Sequence, residues 1–100
     1  MANKHNGEVA VEIDGKEYKL KLLAEHFATA EGLLGVDSLI GRALGFRSIQ
    51  ALFYLGCEGQ HQVTIRKVAD MMNTHMQAIS SAVNEAVDFF YQNQIELIQD

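Results

Sequence analysis

The N-terminal part of the chain alternates apolar and polar residues on both sides of a tight turn. The two alternating runs flank Asp14 and Gly15. Such alternation is typical of half-buried strands, and an Asp-Gly pair favours the positive φ angles of a two-residue hairpin turn. The pattern therefore predicts an antiparallel β-hairpin over residues 8–22, preceded by a flexible arm at residues 1–7.

A two-residue turn also fixes which residues of the hairpin lie opposite one another. Apolar residues then face apolar residues and charges face opposite charges: Val11 with Tyr18, Val9 with Leu20, and Glu8 with Lys21. Because an isolated hairpin is only marginally stable in water, its apolar face should pack on the rest of the chain. We expect both outer edges to remain open for strand addition, with Lys19 and Lys21 limiting unspecific pairing.

From residue 23 onward, the spacing of apolar residues changes to that of helices. The chain contains no proline, so glycines and capping residues indicate where helices end. Thr64 is an expected N-cap, and Thr74 with Gln77 matches the capping-box pattern. The apolar stripe of the last helix is interrupted near Asn93, which predicts a break or bend there. The expected helices span residues 23–34, 38–44, 47–57, 64–73 and 74–99.

Together these elements predict an α+β fold, in which the N-terminal antiparallel β-hairpin packs on a bundle of four to five α-helices. The chain has 100 residues, 48% hydrophobic and 21% charged, which is typical of one globular domain over residues 1–100, its helical part at 23–100. No apolar run approaches the roughly 20 residues that span a bilayer, and the polar N-terminus does not resemble a secretory signal. A single cysteine, Cys57, excludes an internal disulfide and fits a reducing cytoplasm.

Charge is distributed unevenly along the chain. Eight Lys and Arg residues oppose 13 Asp and Glu residues, and no Lys or Arg follows Lys67. The C-terminal third is therefore acidic, which repels nucleic acid and anionic membranes and suits a protein partner with basic patches. We expect neither nucleic acid nor a membrane among the partners.

The residue types that carry out catalysis or bind metals do not occur at the spacings typical of catalytic or metal sites. Cys57 and His61 are four positions apart with Glu58 between them, but structural zinc needs four ligands and no second Cys-His pair exists. We therefore expect Cys57 to be a small buried apolar residue. His26, His61 and His75 have no serine or carboxylate partner at a telling spacing. These observations predict a protein that is not an enzyme, with no cofactor and no metal.

A local pattern at residues 65–83 supports an alternative function. Ala69, Asn73, Ile79 and Val83 lie near the positions where a helix-turn-helix motif keeps a small residue, a turn residue and buried aliphatic residues. The second helix of such a motif would enter the major groove of DNA, yet here it carries no Lys or Arg to neutralise phosphates. A small helix-turn-helix DNA-binding regulator is thus the alternative hypothesis.

The last helix also carries the candidate partner-binding residues. Phe89 lies off the main apolar stripe and faces a second surface. Tyr91, Ile95 and Ile98 follow it around and beyond the expected break, and form an amphipathic end that could pack against a neighbouring molecule. We therefore predict partner binding at Phe89, Tyr91, Ile95 and Ile98, and a homo-oligomer is compatible with the same residues.

The order of these features resembles that of a known family. The hairpin begins with G-E-V at residues 7–9, and its second strand has the form G-x-x-Y-x-L at residues 15–20. The first helix ends with A-E-x-x-L-G at residues 30–35. A hydrophobic helix at residues 49–56 and a helix led by a threonine at residues 63–68 follow. In this order they resemble the small tail assembly chaperones of tailed phages and gene transfer agents, over residues 7–72. The long acidic helix from His75 departs from the family's pattern, so the resemblance assigns no partner surface.

The resemblance implies a non-catalytic role in the cytoplasm of a bacterial host. Members of this family are expected to bind the long, aggregation-prone tape measure protein, together with other tail proteins, during tail assembly. A small structural tail component that stays in the particle shares every one of these sequence features. It is therefore a further alternative to the chaperone.

Overall fold

A computed structural model describes residues 7–35 and 44–99 of the chain, with side chains described as far as Asn93. Within these residues the fold is α+β, with one two-stranded antiparallel sheet and three α-helices. In chain order the elements are β1 (Val9–Ile13), β2 (Lys16–Leu20), α1 (Ala24–Leu34), α2 (Phe46–Cys57), a short 3-10 turn (Gln60–Gln62) and α3 (Ile65–Gln99).

The hairpin has the predicted register. Val11 lies opposite Tyr18 and Val9 opposite Leu20, while the predicted pair of Glu8 and Lys21 falls one position beyond the strands. Both turn residues have positive φ angles, 54° and 79°, as the Asp-Gly pair predicted. The inner face of the hairpin is buried, including Ile13, so the expected packing of this face on the helices is confirmed.

The part of helix α3 between His75 and Phe89 runs antiparallel to β1. At one end, His75 Nε2 lies 3.0 Å from Asp14 Oδ1 of the hairpin turn. At the other end, Gly7 packs so closely that a Cβ atom on it would lie 3.6 Å from Phe89 Cβ. The seven residue steps from Gly7 to Asp14 and the fourteen from His75 to Phe89 cover similar distances, about 24 Å and about 21 Å, so these two segments match in length.

The expected bundle of four to five helices is wrong for the described residues, which form three. The expected helix at 38–44 falls mainly on residues 36–43, outside the described part of the chain. The expected helices at 64–73 and 74–99 form the single helix α3, in which His75 departs from helical geometry with φ −125° and ψ 28°. This kink lies one residue after the boundary that the capping signal at Thr74 predicted, and the two segments on either side of it pack on the same core.

Two further details of α3 can be compared with the sequence. Thr64 is an N-cap as predicted, since its Oγ1 accepts a hydrogen bond from Lys67 N at 3.1 Å. The break expected near Asn93 is wrong, because the backbone stays helical to Gln99. A gap in the apolar stripe of a helix does not by itself end the helix. The residues that most often do so are absent here, because the chain has neither glycine nor proline after Gly59.

Helix α2 approaches the hairpin most closely at Gly56. Lys21 N donates a hydrogen bond to Gly56 O at 3.4 Å. A methyl group at this position would collide with the side chain of Leu20 and lie 3.0 Å from Leu22 Cδ2. The absence of a side chain at Gly56 is therefore what allows α2 and the end of β2 to pack together.

Candidate protein-binding surfaces

The structure describes part of the partner site that the sequence predicted. Phe89 is half-buried at the margin of the core, and its Cβ faces Gly7 at the start of the hairpin. Tyr91 is also half-buried, with its ring 5.9 Å from the ring of Phe90. Ile95 and Ile98 belong to the last part of α3, whose side chains lie outside the described part. Partner binding at these four residues stays a prediction.

A second surface, between α2 and α3, was not predicted from the sequence. Here an open groove of about 420 Å³ runs between the first turns of α2 and the N-terminal half of α3. Phe46 stands at its margin with 72% of its surface exposed. We call this the α2–α3 groove, and its lining residues are Phe46, Arg47, Gln50, Ala69, Met72, Asn73 and Met76.

The α2–α3 groove has an apolar floor and a polar rim. Ala69, Met72 and Met76 are all half-buried; Ala69 and Met72 are three positions apart on α3, and Met76 follows directly after the kink at His75. Gln50 Nε2 donates a hydrogen bond to Ile65 O at 2.8 Å, which ties α2 to the first turn of α3. Methionine side chains are flexible and adapt to differently shaped partners. This arrangement is suited to holding apolar side chains of another helix.

Sequence periodicity alone could not find this groove. Phe46 is three residues before Ile49 and seven before Phe53, which places it on the apolar stripe of α2. Ile49 and Phe53 are buried, as that stripe predicts. Phe46 is instead exposed, because it lies one turn beyond the residues that the core covers.

The outer edge of β2 is covered, contrary to the expectation that both hairpin edges are open. Gln60 Oε1 accepts a hydrogen bond from Lys19 N, and Gln60 Nε2 donates one to Lys19 O, both at 2.7 Å. His61 Nε2 donates to Glu17 O at 2.8 Å, since a carbonyl oxygen can only accept. The side chains of the α2–α3 loop thus occupy the edge that a further strand would use.

This covering loop has an unusual backbone. Four of its residues have φ angles in the left-handed region, and three of them are not glycine: Glu58 at 48°, Gly59 at 76°, His61 at 53° and Gln62 at 56°. Such angles cost about 1–3 kcal/mol for a residue that is not glycine. The bonds to Glu17 and Lys19 are among the interactions that offset this cost.

The buried histidine, His26, has a structural role. Leu23 N donates a hydrogen bond to His26 Nδ1 at 3.0 Å, so the ring proton resides on Nε2. Nε2 in turn faces Glu58 Oε1 at 3.3 Å. The side chain therefore satisfies the free N–H at the start of α1 and links this end to the loop after α2.

The residues assigned to a helix-turn-helix do not form that motif. Only His75 leaves helical geometry between the two halves of α3, whereas the motif needs a turn of about three to four residues. His75 itself contacts Asp14 of the hairpin turn. DNA binding by this segment stays an alternative hypothesis.

Cys57 is buried as the sequence predicted. The side chain has no exposed surface, and burial raises the pKa of its thiol to about 12. Among the described side chains, those of residues 7–35 and 44–93, no three of His, Cys, Asp or Glu come together as metal ligands would. The spacing of Cys57 and His61 thus corresponds to a buried thiol and a loop histidine that binds the edge of β2.

The thiol of Cys57 is expected to resist modification in the native protein. Thiol reagents attack the thiolate, and a pKa of about 12 leaves almost none at pH 8. An aromatic disulfide reagent added at pH 8 should therefore react with less than about one-hundredth of the rate measured in denaturant. Rapid, stoichiometric reaction without denaturant would contradict the buried position.

Comparison of the chain with protein-family models, with curated proteins and with solved structures gives no match. In the part of the chain that the structure describes, no helix is both long enough and apolar enough to cross a membrane.

Proposed function

We propose that this protein is a non-catalytic tail assembly chaperone of a phage, a prophage or a gene transfer agent. Its client is the tape measure protein, which it binds in the cytoplasm of the bacterial host, in contact with other tail proteins. The order of sequence features over residues 7–72 supports this assignment. The α2–α3 groove supports the more general part of the proposal, that the protein binds other proteins through apolar side chains.

The observation that carries the proposal is the exposure of Phe46 beside an apolar floor. A large aromatic side chain that is 72% exposed buries little of its apolar surface in the folded monomer. Apolar residues that line a concave surface with a polar rim are typical of protein-binding sites. The floor follows one helix, so an amphipathic client helix can place residues spaced by three and four positions along it.

The α2–α3 groove variant Phe46→Ser tests this proposal. We expect co-expressed wild-type protein to keep the candidate tape measure protein, encoded by the longest neighbouring reading frame, soluble and to co-purify with it. Loss of one anchoring aromatic side chain should lower the recovered client about ten-fold, equivalent to about 1.4 kcal/mol of binding. The melting temperature should be nearly unchanged, because Phe46 is exposed.

The matched control is Leu33→Ser, which removes another exposed apolar side chain, 56% exposed on α1, that does not line the groove. Client recovery with Leu33→Ser should equal that of the wild type. Equal loss with both variants, or no recovery of the client by the wild type, would contradict the proposal. Abundant copies of the protein in purified particles would favour a structural tail component instead.

A further inference from the structure

The two outer edges of the hairpin differ. The β2 edge is occupied by Gln60 and His61, as described above. The bonds to these side chains show that the backbone groups of Glu17 and Lys19 point away from β1. In an antiparallel strand pair, two residues that lie directly opposite each other behave alike. Either both point their N–H and C=O groups toward each other, or both point them outward. Their partners on β1 therefore also point outward, and these are Glu12 and Ala10.

The β1 edge, formed by the outward N–H and C=O groups of Ala10 and Glu12, is open within the described structure. Both residues are exposed. In the described part of the chain, with its side chains as far as Asn93, no hydrogen bond reaches their outward backbone groups. An unpaired edge of this kind provides donors and acceptors at the spacing that a further strand needs.

The charges next to this edge indicate what kind of strand it accepts. Glu12 lies directly opposite Glu17, and both side chains are exposed. Like charges at opposite positions of a strand pair destabilise the pair. A Lys or Arg side chain placed on the other side of Glu12 would offset this repulsion, because it would lie beside the first carboxylate and near the second.

We propose that the β1 edge binds an extended strand of a partner protein that carries Lys or Arg opposite Glu12. This interaction goes beyond the proposed chaperone function and does not depend on it, since the α2–α3 groove lies between other elements. A second copy of the chain is a poorer occupant. Antiparallel pairing of two β1 strands about Ala10 places Glu12 of each copy opposite Glu8 of the other, which adds two like-charged pairs.

The test uses a short capped peptide in which Lys alternates with Val, and a second in which Glu replaces each Lys. Amide hydrogen exchange of the full chain is followed residue by residue by NMR. The Lys peptide should slow exchange at the amides of Ala10 and Glu12 at least about ten-fold. The Glu peptide should leave both amides unchanged. Protection at other sites only, or equal protection by both peptides, would overturn the proposal.

Variants at the β1 edge separate strand addition from simple charge attraction. Ala10→Pro removes one outward N–H but no bond to β2, so it should abolish binding of the Lys peptide with the hairpin intact. Ala10→Val keeps the N–H and should bind like the wild type. Glu12→Gln keeps the backbone and should weaken binding several-fold, with a weaker dependence on salt.

Folding and self-association are controlled in the same experiment. The resonances of β2 report whether Ala10→Pro retains the hairpin, and if it does not, Glu12→Gln and Glu12→Lys still decide the outcome. Glu12→Lys should reverse the preference from the Lys peptide to the Glu peptide. Protection of Ala10 and Glu12 that rises with protein concentration in the absence of peptide would identify a second copy as the occupant and overturn the proposal. None of these readouts involves the client of the α2–α3 groove.

Discussion

Replacing Gly56 with alanine is expected to lower the free energy of unfolding by about 1–2 kcal/mol, although alanine is the better helix former. The added methyl group collides with the side chain of Leu20, which is fully buried and cannot swing into solvent. Leu22 and the carbonyl oxygen of Lys21 close the other sides, at 3.0 Å and 3.3 Å from the methyl position. Helix α2 must therefore move away from the hairpin, and the Lys21 N to Gly56 O bond should lengthen or break.

The measurement is thermal and urea unfolding of Gly56→Ala beside Gly32→Ala. Gly32 is also in a helix, α1, but a methyl group there meets nothing within 4 Å. The control should therefore raise stability by about 0.5–1 kcal/mol, with each kcal/mol shifting the melting temperature by about 4–8 °C. If both variants gained stability, the close contact between α2 and β2 would be wrong.

Gln60→Ala is the second substitution with a large expected effect. It removes both hydrogen bonds to the backbone of Lys19 and leaves a partly buried N–H and C=O without these partners. The expected loss of stability is about 1–3 kcal/mol. It also uncovers the outer edge of β2, so we expect association of the variant at concentrations where the wild type shows none.

Two control variants separate these effects. Gln77→Ala removes an exposed glutamine from α3 and should change stability by less than about 0.5 kcal/mol. Gln60→Glu keeps an acceptor for Lys19 N but places a carboxylate oxygen against Lys19 O, so it should destabilise more at neutral than at acidic pH. Unfolding curves and sedimentation at several concentrations provide both readouts. Unchanged stability in Gln60→Ala would mean that the loop side chains do not hold the edge.

The hairpin was predictable because its signals are local. The alternation of residues fixes the face that is buried, and Asp14-Gly15 fixes the register, so Val11 and Tyr18 had only one way to pair. The Thr64 cap was predictable for the same reason, since a cap and the amide it binds are three residues apart. When the interacting residues are only a few positions apart, the sequence pattern is enough to predict the local structure.

The covering of the β2 edge was not predictable from the sequence. It depends on Gln60 and His61 meeting Lys19 and Glu17 from 41 and 44 positions away. It also depends on positive φ angles at Glu58, His61 and Gln62, residue types that usually avoid this region. Neither the long-range contact nor the backbone conformation produces a periodic pattern in the sequence.

The helices show how far local signals reach. Asn73 and Thr74 predicted an end and a new start, and α3 is kinked at His75, one residue later. The signal did not reveal that the two segments continue end to end across this kink, where the His75 ring contacts Asp14 of the hairpin turn. The α2–α3 groove was missed for a different reason, because the apolar stripe of α2 continues to Phe46 although the core does not.

The packing of α3 along β1 has a consequence for synthesis of the chain on the ribosome. Asp14 and His75 are 61 positions apart, and at about 5–20 residues per second the second follows the first by about 3–12 s. During this interval the hairpin has been made but α3 does not yet cover its apolar face. A two-stranded hairpin is not stable alone, so cooperative folding must wait for the C-terminal half. Each nascent chain therefore passes through seconds in which the apolar face of its hairpin is accessible to cellular chaperones and proteases.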